Sequence, residues 1–203
     1  MPRPRHPVSA SMLDFSPVHR GEMTSQELSS GLSREDLARL TEEMCDLQLE
    51  AVADAVDGDV AFVPVDPDAN DTFAAHAGDV GLSWTLGHVV VHTTASAEES
   101  AALALTLARG LPVDGRSRHE VPWQGVRTAV YIRGRIEESR RMRLALLAAW
   151  PDEPHLDNHY LPNRDRPPVN ALGRFVSGLS HDDSHLEQLR KIMVQARSRR
   201  RGA

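Results

Sequence analysis

Four apolar stripes at helical spacing, separated by connections rich in Pro, Gly and Asp, predict an all-α four-helix bundle with long connections. Composition points the same way. Aromatic residues make up only 4% of the 203 residues, while Ala, Leu and Arg abound, which favours helices over a sandwich or barrel. The apolar fraction of 40% and charged fraction of 26% are those of an ordinary soluble globular chain. A chain of this length is expected to build one domain around one sizeable core.

The elements follow in order. Residues 1–32 are rich in Pro, Ser and Gly without a sustained period, and read as a flexible N-terminal arm, disordered or draped over the domain. Helix one starts at Ser33, an N-cap with Asp36 three residues later in capping-box position. Leu37, Leu40, Met44, Leu47, Ala51 and Ala55 form its stripe, and Gly58 is its expected stop. A long connection carries Pro64, Pro67 and Gly78 to Ser83, the expected cap of helix two, which runs to about Arg109 before Gly110 and Pro112. Its stripe is Leu82, Leu86, Val89 and Thr93.

Helix three is expected over about Gln124 to Ala149, with Val126, Ala129, Ile132, Ile136 and Leu144 inward, its arginines outward, and Pro151 and Pro154 beyond its end. Helix four is expected from about Val169 to Arg197, with Leu172, Phe175, Val176, Leu179, Leu186, Leu189 and Met193 as its stripe. The bundle domain thus spans residues 33–198 and leaves a basic tail at 199–203, read as a solvated, frayed terminus. Connections of this length suggest that some cross the bundle instead of joining neighbours.

Charge and cysteine usage exclude several classes. A net charge of −6 and a pI near 5.9 argue against nucleic acid as the main partner. No apolar run reaches the 18 or so residues that a membrane span needs, and the N-terminus lacks the apolar stretch of a secretory signal. The lone Cys45 has no partner for a disulfide, lies on the helix-one stripe as a small buried apolar residue, and fits a reducing compartment. A cytoplasmic protein is the expectation.

The chemistry-bearing pattern is a pair of histidine pairs. The chain has 10 histidines, and His88/His92 and His181/His185 each stand four residues apart in helices two and four. A spacing of four stacks side chains on one helix face, so two adjacent helices can aim imidazoles at a shared point. Both pairs lie on the flanks of their stripes, where a groove between helices opens to solvent. Gly178 stands on the same side and is expected to leave room above the pair. Neutral imidazole is a common ligand for transition metals. No Glu-x-x-His occurs, which argues against a di-iron carboxylate bundle, and no His-Glu-x-x-His, which argues against the usual zinc-protease arrangement.

The segment Trp84-Thr-Leu-Gly-His-Val-Val-Val-His92 resembles the second-helix signature of the DinB/YfiT-like metalloenzyme family, in which a tryptophan precedes a ligand histidine by two turns. The segment His181-Asp-Asp-Ser-His185-Leu-Glu-Gln188 resembles that family's fourth-helix motif, His-x-x-x-His followed by a glutamine. The resemblance implies a three-histidine metal site at His92, His181 and His185, with His88 a flanking or supporting residue and Trp84 a packing residue. It implies a divalent metal ion, zinc or nickel. It also implies metal-dependent chemistry, either thiol S-transfer on a small-molecule substrate with a low-molecular-weight thiol, or hydrolysis. Glu99 and Asp182 are the general-base candidates by position. A non-catalytic metal- or ligand-binding bundle acting through dimerisation is the alternative. A homodimer is expected by base rate.

Overall fold

The computed structural model describes residues 12–71, 77–115, 117, 121–162 and 167–202. The long helices are α3 (Arg34–Ala51), α5 (Leu86–Ala108), α6 (Ala129–Ala148) and α7 (Ala171–Gly202), with single-turn helices α1 (Ser16–His19), α2 (Ser25–Leu28) and α4 (Asp57–Val60). The described residues are all-helical; the nearest thing to a strand is an isolated bridge between Tyr160 and Val169. Among them no helix is long and apolar enough to cross a membrane.

The expected stripes become two cores. At one end, Leu37, Leu40 and Met44 of α3 meet Phe175, Val176 and Leu179 of α7, with Leu107 and Leu147. At the other, Val89 and Val90 of α5 meet Ile132 and Ile136 of α6, with Leu189 and Met193 of α7. Leu47, Leu82 and Leu144, expected inside, are only half-buried. Helix α5 packs against α6 and α7, and α3 packs against the same two. Helices α3 and α5 therefore stand diagonally across the bundle, as do α6 and α7. The 34 or so residues from α3 to α5 and the shorter link from α6 to α7 cross between diagonal positions, whereas α5 and α6 are neighbours in space.

Local chemistry sets the helix ends, and several depart from expectation. The capping box at Ser33 is present, the Ser33 hydroxyl accepting from the Asp36 N–H while the Asp36 carboxylate accepts from the Ser33 N–H. Helix α3 ends at Ala51, before Gly58, because the chain turns there to bury Val52, Ala55 and Val60; Gly58 lies inside α4. Helix α5 is capped by Thr85, not Ser83, the Thr85 hydroxyl accepting from the His88 N–H. The expected helix three splits into a 3₁₀ turn at Trp123–Gly125 and α6, whose cap is Thr128. Val126 is extended between them and interrupts the helical run.

The arginines of α6 are not all outward. Arg135 makes a bidentate pair with Glu98 of α5, and Arg140 reaches Glu42 and Asp46 of α3. Arg143 is fully buried between α3 and α7.

Of the segment read as an arm, residues 12–32 lie against the bundle: Phe15 is buried in the core, and α2 packs on α7, where Gln26 Oε1 accepts from the Asn170 N–H. Residues 1–11 lie outside the described residues. The basic run at the other end continues α7 as helix. Arg197 pairs with Asp54, and Arg200 with Asp54 and the buried Asp59, so these two cations are engaged instead of simply solvated.

Candidate metal centre

The seam between α5 and α7 carries both histidine pairs, and its closeness has a local cause. A Cβ on Gly178 would lie 2.7 Å from Ser100 Cβ and 3.5 Å from the Ala97 Cα. Glycine at 178 lets α7 approach α5 one turn before His181, so the room expected beside Gly178 is filled by the partner helix. A larger residue would hold the two helices apart at the level of the site.

That approach brings His92 of α5 together with His181 and His185 of α7. The ring centroids lie 4.8 Å apart for His92–His181, 5.2 Å for His92–His185 and 4.8 Å for His181–His185. Each ring offers a nitrogen, and the three nitrogens lie within 4.8 Å of one another. His92 Nε2 and His181 Nε2 are 3.1 Å apart. Two imidazoles on one ion, with metal–nitrogen bonds of about 2.0–2.1 Å, place their nitrogens about 3 to 3.5 Å apart, so this pair already stands at coordination spacing. All three residues are half-buried, on the flanks of their helices as sequence periodicity predicts.

The donor chemistry fits a transition-metal ion. His185 Nδ1 lies 2.7 Å from Gln188 Oε1. An amide oxygen only accepts, so Nδ1 donates its proton there and the coordinating role passes to Nε2. Gln188 closes the fourth-helix motif, and its i, i+3 spacing from His185 on α7 is the sequence signal for this contact. His88 is not part of the cluster. It is buried between two indoles instead, stacked on Trp84 at 4.2 Å and on Trp123 at 4.8 Å. Trp84 does more than pack: it also meets His92 edge-on at 4.7 Å and stacks on His185 at 5.7 Å. Trp123 carries no signal in the sequence, because it arrives from the connection between α5 and α6.

Neither candidate general base stands in the cluster. Asp182 is wholly buried and turned to the bundle interior, where its Oδ2 accepts from Arg143 Nη1 at 2.7 Å. Burial pushes its carboxyl up to about 6, with the Arg143 charge pulling the other way. The second Arg143 nitrogen, Nη2, lies 2.7 Å from Cys45 Sγ. The Cys45 thiol is pushed up to about 11, burial outweighing the Arg143 charge, so it stays protonated and inert near neutrality. Glu99 accepts from the Ser117 N–H in the α5–α6 connection.

A family model described as the DinB superfamily matches residues 31–189, which takes in α3, α5, α6 and most of α7 with all three clustered histidines. No curated protein and no solved structure matches the chain.

Proposed function

The chain belongs to the DinB superfamily, and on that premise we propose that it is a metal-dependent enzyme whose His92, His181 and His185 hold a zinc or nickel ion and activate a low-molecular-weight thiol for transfer to a small electrophilic substrate. Hydrolysis, with water in place of the thiol, is the second form of the same chemistry. The observation that carries the reading is the convergence of three imidazole nitrogens within 4.8 Å from two different helices. Three neutral ligands leave a divalent ion its full charge and an open position, the pattern of catalytic sites. Such an ion supplies the positive charge that eases loss of a proton from a thiol or water brought to it.

The residues of the chain supply the rest. Gln188 holds His185 in one tautomer, and Gly178 sets the spacing of α5 and α7. The half-buried position of the cluster leaves an approach from the groove. A cytoplasmic homodimer completes the proposal, supported by the lone buried thiol and by the general frequency of two-fold dimers among soluble oligomers.

A second reading, a bundle that binds metal or ligand without catalysis, draws on one observation. Asp182 accepts from Arg143 and Glu99 from the Ser117 N–H, and among the described residues neither carboxylate joins the three-histidine cluster. Metal analysis of protein purified without a histidine tag comes first; about one zinc or nickel per chain supports the site. Thiol–electrophile pairs and ester or amide substrates are then compared between wild type and His181→Ala. Turnover lost in the variant supports the enzyme. Bound metal with no turnover supports the second reading; absence of metal refutes the enzyme and leaves the second reading as a bundle that binds a ligand without metal.

A further inference from the structure

Four rings stand in a near-parallel column that ends on a candidate metal ligand. Trp123 lies on His88 at 4.8 Å and 6°, His88 on Trp84 at 4.2 Å and 21°, and Trp84 on His185 at 5.7 Å and 8°. The column runs from the α5–α6 connection, across the start of α5, to α7. Trp84 also touches His92 edge-on, so one indole contacts histidines from both helices.

The sequence explains how the column is seated. Trp84 precedes the Thr85 cap, outside the first turn of α5, and His88 follows four residues later on the same side. Gly87 has no side chain: a Cβ there would lie 3.0 Å from Val126 Cγ1 and 3.2 Å from Val60 Cγ1. This lets Val126 close on the helix. The Val126 N–H donates to the Trp123 carbonyl at 2.9 Å, which closes the turn that carries the outer indole.

We propose that Trp84, backed by His88 and Trp123, is a positioning residue that sets the plane of the His185 ring for metal binding. The inference rests on the metal reading above. A histidine side chain has two rotatable bonds, and the Gln188 contact fixes one point on the ring edge. The indole face fixes the plane, since parallel stacking is lost when the ring turns. Edge and face together hold Nε2 toward His92 and His181 before an ion arrives. Hydrogen-bonded outer supports carry about 10- to 100-fold of metal affinity in other sites, and a stacked face is set at the lower end of that range.

The test uses the full chain with Trp84→Leu, Trp84→Phe and Trp123→Leu, read by zinc titration against a chelator and by the visible spectrum of the cobalt-loaded protein. Trp84→Leu is expected to weaken zinc about tenfold and to alter the cobalt spectrum, while the metal-free melting temperature follows that of Trp84→Phe. Trp84→Phe, which keeps an aromatic face, restores most of the affinity, and Trp123→Leu shows a smaller loss in the same direction. Wild-type zinc affinity in both leucine variants, or equal loss in Trp84→Phe and Trp84→Leu, overturns the proposal. Trp123→Leu lies in a connection and carries the test if Trp84→Leu does not fold. The metal-free protein separates this inference from the functional reading. There the His185 ring protons are expected to sit upfield in the NMR spectrum under the indole, and to move back in Trp84→Leu. A wild type that binds neither zinc nor nickel refutes the metal reading; unmoved His185 protons refute the column.

Discussion

The buried contact between Arg143 and Asp182 ties α6 to α7 at the level of the histidine cluster, and breaking it from one side only is the sharpest test of the packing. The Arg143 side chain is 2% exposed and that of Asp182 0%, with 2.7 Å between Nη1 and Oδ2. Two unit charges about 4 Å apart attract by about 4 kcal/mol at the effective dielectric of such sites. Desolvating them costs several kcal/mol per ion, so the intact pair contributes little against an apolar pair of the same shape. Removing one partner is different: the other stays buried without its counter-charge, at a cost of about 3 to 5 kcal/mol. Arg143→Met and Asp182→Leu are each expected to lose that much, lowering the melting temperature by about 10 °C for a chain of this size. The double variant is expected to recover most of the loss. Urea denaturation of the four proteins, with unchanged slopes, gives the coupling energy directly. A loss under about 1 kcal/mol in either single variant, or a double variant as unstable as the sum of the two, refutes the account of Arg143 as a buried tie.

Three further expectations follow from the same packing. The Cys45 thiol is raised in the folded state to about 11 by burial, so its contribution is fully present below the unfolded-state value and is lost as pH rises towards 11. The stability of wild type relative to Cys45→Ala should therefore fall by on the order of 1 kcal/mol per pH unit above about 9; a pH-independent difference refutes it, as does rapid labelling of the native thiol by a disulfide reagent at pH 8. Gly178→Ala is expected to destabilise by about 1 to 2 kcal/mol, because the new Cβ collides with Ser100 and outweighs the gain in helix propensity. It should also weaken zinc binding, whereas a more stable variant with unchanged affinity would show that the seam tolerates separation. Phe15→Ala is expected to cost about 3 kcal/mol by denaturation, since Phe15 is 2% exposed within the main core; no loss would mean that residues 12–32 add nothing to stability.

What was legible in the sequence was whatever one helix decides alone. The period of 3.6 placed Leu37, Leu40 and Met44 on one face of α3, and Phe175, Leu179 and Leu186 on one face of α7, because burial of a stripe follows from spacing. The same spacing put His181 and His185 on one flank. The Ser33–Asp36 box was readable because both partners lie within one turn. What stayed hidden needed two elements at once. Arg143 sits among Arg140, Arg141 and other charges that sequence reads as a solvated face, and it is Cys45 of α3 and Asp182 of α7, both distant in sequence, that meet the two ends of its buried guanidinium. Asp182, standing between two exposed-flank histidines, reads as solvated for the same reason, although a residue one position from His181 on a helix points about 100° away and so into the core. Trp123 is 39 residues from Trp84 and belongs to a connection without periodicity, so no pattern in the chain links it to His88. Spacing could thus place the two histidine pairs on helix flanks, and the family resemblance singled out His92 over His88, whereas the groups that hold these rings and helices in place emerge only once α3, α5, α6 and α7 are packed together.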